Sequence, residues 1–208
     1  MESKFLPLFP LNLVAYPGEQ IKLHIFEPRY RQLVTEAVVK QTTFGIPTHI
    51  NKKVGSFGTE VWVASVANYY PEGEMDIVAE GLHVFELKQF NPVVEGKLYS
   101  GGEVVMPDNP DNGQIIDELN IQNLIEQLYK ALNIKKTFDN YKSYNIAHHI
   151  GLSMEQEYAL LQIFGEHERQ QFILSHLQEL VPKVIEIEHL KLKVQMNGYF
   201  KNYKPLDL

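Results

Sequence analysis

Apolar and polar residues alternate along short segments in the first half of the chain. In Gln20–Ile25, the residues Ile21, Leu23 and Ile25 share one face of an extended strand. β-Branched and aromatic residues, separated by turn residues, predict further strands at 44–50, 60–70, 76–90 and 93–106. Gly81 predicts a bulge. Five or six short strands without alternating helices are typical of a closed or semi-closed barrel.

One helix interrupts this half, and it begins at the corner Glu27-Pro28-Arg29-Tyr30. Proline suits the first position of a helix, where its missing N–H is not needed, and Glu27 lies near the positive end of the helix dipole. The apolar residues that follow have the spacing of one buried helix face: Tyr30, Leu33, Val34, Ala37 and Val38. We therefore expect the corner to be structural.

After Gly113 the apolar spacing becomes helical. It predicts a helix over 115–136, ending at lysines that suit the negative end of its dipole. Ser153 and Gln156 predict a capping box, which starts a helix that ends near Phe164.

Two more helices are predicted near the end of the chain. One covers 166–180, and the other begins at Pro182 and stops at Asn197-Gly198. The predicted fold class is therefore α+β, with a barrel subdomain over residues 1–112 and an all-helical subdomain over residues 113–208, together forming one domain.

Composition narrows the possible partners. The 208 residues are 44% hydrophobic and 22% charged, as in ordinary globular proteins. The net charge of -7 disfavours nucleic acid as a partner, because nucleic-acid readers usually carry a basic excess. The sequence contains no cysteine, which excludes disulfides and thiolate chemistry and favours the reducing cytoplasm. No apolar run approaches the roughly 20 residues that cross a bilayer, so we expect no membrane partner and no signal peptide.

Motifs for catalysis and metal binding are missing from the sequence. His148 and His149 are adjacent, so on a helix they point about 100° apart. His167-Glu168 lacks the second histidine of a zinc-protease helix, and Gly96-Lys97 lacks the glycine spacing of a phosphate-binding loop. There is no Gly-x-Ser-x-Gly nucleophile elbow. We therefore predict no catalytic residue, no cofactor and no metal.

Aromatic residues beside turns are the candidates for binding. Tyr16-Pro17 lies in one turn, and Tyr69, Tyr70 and Met75 flank another. Rigid aromatic side chains on loops bind peptides at a low cost in conformational entropy. The alternative is that these tyrosines simply cover the end of the barrel.

Three segments resemble the start of the N-terminal domain of Lon proteases. They are Leu6-Pro7-Leu8-Phe9-Pro10-Leu11, Tyr16-Pro17-Gly18 and Ile25-Phe26-Glu27-Pro28-Arg29-Tyr30. The segments 57–61 and 77–85 are similar to strands further along that family. The resemblance implies a PUA-like β-barrel with one helix, followed by a helical bundle.

The same resemblance implies a function. We expect a stand-alone Lon-domain protein without the ATPase and Ser-Lys protease modules, and therefore without either activity. The expected role is non-catalytic binding of unfolded or partner polypeptides, assisting proteolysis or quality control in trans, by a monomer or weak homodimer. An alternative is an RNA- or nucleotide-ligand-binding module, because PUA-like barrels elsewhere bind RNA. A third is an enzyme with an unfamiliar site.

Overall fold

The computed structural model describes residues 3–200, and side chains for residues 3–195. Within that range six strands and five helices occur in chain order. The strands are β1 (Ser3–Leu8), β2 (Gln20–Ile25), β3 (Phe44–Ile50), β4 (Lys53–Tyr69), β5 (Met75–Asn91) and β6 (Ser100–Val105). The helices are α1 (Pro28–Lys40), α2 (Ile115–Ala131), α3 (Ser143–Ile146), α4 (Met154–Leu161) and α5 (Glu166–Phe200).

The sheet closes on itself through β5. Its strand order is β2-β5-β4-β3-β1-β6, and β6 also pairs with β5. Residues 75–80 of β5 pair with β2, and residues 86–91 pair with β6, while β4 runs antiparallel along the other side. Five strands therefore form a closed ring and β2 is an additional edge strand. This confirms the predicted α+β class and the barrel.

The bulge predicted at Gly81 is observed. Glu60 pairs with His83 and Val61 with Gly81, so Leu82 is the extra residue. A Cβ at Gly81 would lie 2.1 Å from the carbonyl oxygen of Tyr16, which only glycine avoids. The bulge thus holds the turn that contains Tyr16 against the barrel.

The corner before α1 is engaged in local packing. Pro28 occupies the first turn of the helix, and the backbone N–H groups of Tyr30 and Arg31 donate to the Glu27 carbonyl. Arg29 Nε donates to Glu27 Oε2 at 2.9 Å. The buried ring of Tyr30 stacks on Phe9, with the centroids 3.8 Å apart.

The hydrophobic core is shared between the barrel and the helices that follow it. One cluster lies between α1 and the sheet, and includes Leu33, Val34 and Ile77. A second cluster joins Tyr16 and Val84 of the barrel to buried residues of α2, α4 and α5. Because apolar burial is the main stabilising term in folding, we infer that the helices stabilise the barrel end that they cover.

Local sequence signals predicted one helix start correctly but placed two helix ends too far along the chain. Ser153 and Gln156 form the predicted capping box. The helix α4 ends at Leu161 rather than near Phe164. The helix α2 ends at Ala131, before Lys136, because Asn133 adopts a left-handed conformation with a φ of 55°.

Strand ends also differ from the prediction. The strand β4 starts earlier, at Lys53, because it pairs with β3 there. The strand β6 starts at Ser100, and residues 93–99 form a loop.

The prediction that a new helix begins at Pro182 was wrong. The single helix α5 continues through Pro182 to Phe200, past Asn197-Gly198. Proline in a helix removes one backbone hydrogen bond and causes local crowding. Val181 is buried in the core and Ile185 packs against the same cluster, so apolar contacts on both sides of Pro182 hold the helix together.

Candidate functional site

The strand β4 has an edge without a partner strand. The strand β3 pairs with β4 only as far as Val61, which lies opposite Phe44. The strand β5 pairs with the other side of β4 as far as Tyr69. Within residues 3–200, no strand pairs with the remaining edge of residues 62–69. Such an edge presents backbone N–H and C=O groups that can pair with an added strand.

A groove of about 670 Å³ runs along this edge. Its lining residues come from the end of α1, the following loop, β4 and the bulge: Ala37, Val38, residues 41–43, residues 62–66 and Leu82. Neighbouring residues of a strand point to opposite faces, so a groove over one face would contact every second residue. Contact with five consecutive residues shows that the groove follows the strand edge. We call it the edge groove.

The edge groove exposes apolar side chains. Val38, Trp62 and Val66 have 41%, 44% and 41% of their surface exposed. Trp62 is the single tryptophan of the sequence. Apolar side chains grouped in a concave surface favour an apolar partner, because contact removes their surface from water.

A buried carboxylate fixes one wall of the edge groove. Glu60 accepts hydrogen bonds from Thr43 Oγ1 and, at 2.7 Å, from Lys4 Nζ. Burial raises the pKa of Glu60, but these hydrogen bonds outweigh it and hold the pKa below its usual value. The ionised side chain therefore ties the loop before β3 to β4, so the groove is largely preformed.

An exposed aromatic patch lies at the far end of β4. We call Phe26, Tyr69 and Tyr70 the tip patch; Tyr69 has 72% of its surface exposed. Beneath it, Asp76 accepts hydrogen bonds from Asn68 and Tyr70. The hydrogen bond from Asn68, followed by those from His24 and Tyr70, lowers the pKa of Asp76 to about 2. This network holds the hairpin tip in one conformation.

The structure separates the residues that the sequence grouped as binding candidates. Tyr69 and Tyr70 are exposed, whereas Tyr16 and Met75 are buried, with 0% and 3% of their surface exposed. The expectation that Tyr16 and Met75 offer a binding surface is corrected, because their side chains pack in the two core clusters. Pro17 is partly exposed but lies between the barrel and the helices.

Sequence reasoning missed Val38, Trp62 and Val66. The available signal was the length of β4, which has 17 residues against the 7 of β3, so part of β4 must extend past its neighbour. That signal requires the strand boundaries, which the sequence pattern did not give.

A second cavity of about 460 Å³ lies between the barrel and the helices. Four of its charged side chains form two ion pairs, since Lys142 contacts Asp111 and Arg169 contacts Glu166 at 2.9 Å. Pro17 also lines this cavity. Because Lys142 and Arg169 already have carboxylate partners, we interpret this region as a structural junction.

His148 contacts two carboxylates at the same junction between the barrel and the helices. His148 Nδ1 lies 2.8 Å from Glu157 Oε1, and Nε2 lies 3.4 Å from Glu19 Oε2. The hydrogen bond with Glu19, followed by that with Glu157, raises the pKa of His148 from 6.5 to about 9 against the opposing effect of burial. The charged imidazolium therefore links the turn after Pro17 to α4.

The raised pKa of His148 makes folding stability depend on pH. The stabilisation is fully present below pH 6.5 and is lost as the pH rises through about 9, because the folded state binds the His148 proton more tightly than the unfolded state does and loses this advantage when His148 deprotonates. We expect the loss to be about 2 kcal/mol after allowing for partial exposure. Urea unfolding at several pH values measures this loss in the free energy of unfolding. In His148→Gln this component should be absent, and an unchanged pH profile in that variant would assign the effect to other groups.

Other chemistry is not evident in the described part of the chain. Among residues 3–195, no group of three or more His, Asp or Glu side chains is placed to hold a metal ion. No helix within residues 3–200 is both long and apolar enough to cross a membrane.

Comparison with known families identifies the fold. The family model described as the substrate-binding domain of ATP-dependent protease La (LON) matches residues 5–179. The chain belongs to this family. The match covers the barrel and the helices as far as the first half of α5, so the Lon substrate-binding domain includes the edge groove and the tip patch.

Solved structures agree with this assignment. A Lon N-terminal domain protein from Xanthomonas campestris is 27% identical, with a TM-score of 0.66, over 83% of this chain and 98% of that one. The N-terminal domain of the Mycobacterium avium complex Lon protease is 13% identical, with a TM-score of 0.63, over 85% of this chain and 100% of that one. The second likeness shows the fold alone. No curated protein matched the chain.

Proposed function

We propose that this Lon substrate-binding domain binds polypeptides without catalysis and takes an extended, apolar segment along the edge groove. The observation that carries the proposal is the unpaired edge of residues 62–69 beside a preformed apolar groove. An extended segment can add to such an edge, gaining affinity from backbone hydrogen bonds and specificity from alternate side chains.

The dimensions of the edge suit a short segment. Eight residues in an extended strand span about 26 Å. Val38, Trp62 and Val66 would contact the apolar side chains of the bound segment, and backbone groups of β4 would pair with its main chain. Folded proteins rarely expose such segments, whereas unfolded chains do, so the preferred partner is an unfolded polypeptide.

Two bulges limit how regular the pairing can be. The register of β4 against β5 shifts at Ala64 and again at Ala67. Bulges bend and twist a strand, and they protect exposed edges from extended pairing with other sheets. We therefore expect reversible binding of short segments rather than growth of a continuous intermolecular sheet.

The tip patch extends the proposed site. Tyr69 lies three residues beyond Val66 on the same strand, so a segment bound along the edge can reach Tyr69 and Tyr70. Exposed tyrosines contribute rigid, amphipathic contacts. Pro17 lies outside this proposed site because it lines the junction between the barrel and the helices.

The proposed cellular role follows from this binding. A Lon substrate-binding domain that captures unfolded segments would assist proteolysis or quality control in trans, by presenting them to a separate protease. The absence of cysteine supports a reducing compartment, the cytoplasm, as the place where this occurs.

Trp62 provides a direct test of the site. We expect its fluorescence to shift to shorter wavelength when the protein is titrated with a permanently unfolded protein, such as reduced and carboxymethylated lactalbumin, because a bound segment excludes water from the indole. Val38→Lys combined with Val66→Lys should weaken binding at least tenfold, which corresponds to about 1.4 kcal/mol. The single variant Val39→Lys is the matched control, since Val39 is 76% exposed and does not line the groove.

Two results would contradict different parts of the proposal. Binding that leaves the Trp62 emission unchanged and resists the double substitution would place the site elsewhere. If no unfolded polypeptide binds at low ionic strength, the proposed function itself is wrong. Loss of affinity in Tyr69→Ala with Tyr70→Ala would support the extension to the tip patch.

A further inference from the structure

The sheet beside the edge groove has one apolar face and one polar face. Three residues of β5 are buried in the core cluster that contains α1: Met75, Ile77 and Ala79. The residues that alternate with them are only partly buried: Asp76, Val78 and Glu80. Residues directly opposite each other in an antiparallel pair lie on the same face of the sheet. The neighbouring strand β4 is therefore divided in the same way, into an apolar core face and a polar outer face.

The pairing of β4 with β5 assigns the residues of the free edge to these two faces. The core-face residues lie opposite the buried residues of β5: Val63, Val66 and Tyr69. The outer-face residues lie opposite the partly buried ones: Trp62, Ser65 and Asn68. Asn68 Nδ2 donates to Asp76 Oδ2 at 2.9 Å, as expected for side chains on one face. The free edge therefore presents apolar side chains on the core face and, beyond Trp62, polar side chains on the outer face.

The two bulges give the free edge the spacing of a regular strand. Successive core-face residues of β4 are three residues apart in sequence, but their partners in β5 are two residues apart. A bulge sets two residues of one strand opposite one of its neighbour, so Ala64 and Ala67 are the extra residues. The step from Val63 to Val66, and that from Val66 to Tyr69, each cover the length of two residues in a regular strand, about 7 Å. A regular bound strand, whose side chains alternate with a period of two, can therefore contact all three core-face residues.

We propose that the edge groove selects extended segments in which apolar and polar residues alternate, in preference to segments that are apolar throughout. This inference rests on the proposed polypeptide binding and specifies the class of segment that is bound. The apolar side chains of such a segment would extend the core face beside Val63 and Val66, next to Val38 at the end of α1. The side chains between them would lie on the outer face, where Ser65 is exposed, and would stay in contact with water.

Trp62 makes the first outer-face position an exception. Its side chain is 44% exposed and lines the edge groove together with Leu82. An apolar residue of the bound segment at this position would be covered by the indole. Ser65 and Asn68 offer no such cover, and an apolar side chain contributes to affinity only where contact removes it from water. The outer face therefore accepts one apolar residue, beside Trp62, and favours polar residues at the next two positions.

This pattern indicates which unfolded proteins supply the segment. Alternation of apolar and polar residues is typical of antiparallel strands that have one face on a core and the other in water. Membrane-spanning segments are apolar on all sides. We therefore expect the edge groove to prefer unfolded water-soluble proteins rich in β-strands over exposed membrane-spanning segments.

Two peptides of equal composition test the alternation. In one peptide three valines alternate with three threonines, and in the other the three valines precede the three threonines; both carry the same flanking lysines. The alternating peptide can place all three valines on the core face, whereas the blocked peptide can place only two of its valines at apolar positions. We expect the alternating peptide to bind about fivefold more tightly, measured by the shift of the Trp62 emission.

Ser65→Val tests the outer face of the groove. A valine at this position would cover an apolar residue of the segment, so the blocked peptide should gain affinity and the difference between the peptides should fall below about twofold. Lys22→Val is the matched control, because Lys22 lies opposite Val78 on the same outer face, but on β2, two strands away from Ser65. It should leave the difference unchanged. Both positions are exposed, and circular dichroism verifies that both variants are folded.

The outcomes separate this inference from the proposed function. Equal binding of the two peptides, or a preference that persists in Ser65→Val, would overturn the selection of alternating segments while polypeptide binding stands. The same conclusion would follow if an unfolded protein shifted the Trp62 emission but the alternating peptide did not. If neither an unfolded protein nor either peptide binds, the proposed function is wrong and this inference fails with it.

Discussion

Replacement of Tyr16 by alanine is expected to lower the free energy of unfolding by about 4 kcal/mol, because it removes a large side chain from a closely packed core. Tyr16 is fully buried between the barrel and the helices. Its ring stacks on Tyr144 with the centroids 5.0 Å apart, and its hydroxyl donates to the carbonyl of Glu157 at 2.9 Å. One side chain therefore connects the turn held by Gly81 to two separate helical segments.

Chemical unfolding of Tyr16→Ala and Tyr16→Phe separates the two contributions. Tyr16→Phe keeps the ring but leaves the Glu157 carbonyl without its donor, which should cost about 1–2 kcal/mol. If Tyr16→Ala lowered the free energy of unfolding no more than Tyr16→Phe, the ring would contribute little to stability. The contribution assigned to the shared core would then be wrong. Unchanged polypeptide binding by folded Tyr16→Phe is also expected, since Tyr16 lies outside the edge groove.

Arg169→Met should destabilise the helical part by about 3–5 kcal/mol, because it leaves the Glu166 carboxylate buried without its cationic partner. Both side chains have 4% of their surface exposed. Arg169 Nη2 donates to Glu166 Oε2 at 2.9 Å, and the guanidinium lies 4.2 Å above the Tyr144 ring. For a chain of this size, the loss corresponds to a fall in Tm of about 10 °C.

A surface ion pair provides the control for Arg169. Lys142 contacts Asp111, and both side chains are about half exposed or more. Lys142→Met should therefore cost less than about 1 kcal/mol. Calorimetry of Arg169→Met and Lys142→Met measures the difference in stability loss between the buried and the exposed ion pair. The double variant Glu166→Gln with Arg169→Met tests the cause. If Glu166→Gln did not recover part of the stability lost in Arg169→Met, an unpaired carboxylate would not be the cause of that loss.

Tyr16 and Arg169 stabilise the junction between the barrel and the helices, whereas the proposed binding surfaces lie away from that junction. Tyr16 and Arg169 both contact Tyr144, and Tyr144 and Arg169 line the second cavity. The edge groove, by contrast, is formed by the end of α1, the loop before β3, β4 and the bulge of β5, with Glu60 fixing its wall. Substitutions in the edge groove should therefore change binding with little effect on folding.

The sequence by itself determined the local elements. Pro28 and the spacing after it gave the start and the buried face of α1, and Ser153 with Gln156 gave the start of α4. The bulge at Gly81 and the α+β order were also predicted correctly. These features depend on residues within a few positions of one another, so periodicity, capping and glycine chemistry are sufficient to identify them.

Only the tertiary structure decided which residues are exposed and which strand edge is unpaired. The sequence places Tyr16 beside a turn, which predicts an exposed aromatic side chain, but the helices of the second half bury it. The free edge beside Trp62 exists because β3 begins opposite Val61 whereas β4 continues to Tyr69, which is a property of two strands together. The continuity of α5 through Pro182 likewise depends on core contacts on both sides of the proline. Burial, pairing and helix continuity arise from contacts between distant segments, and the pattern of one segment does not contain them.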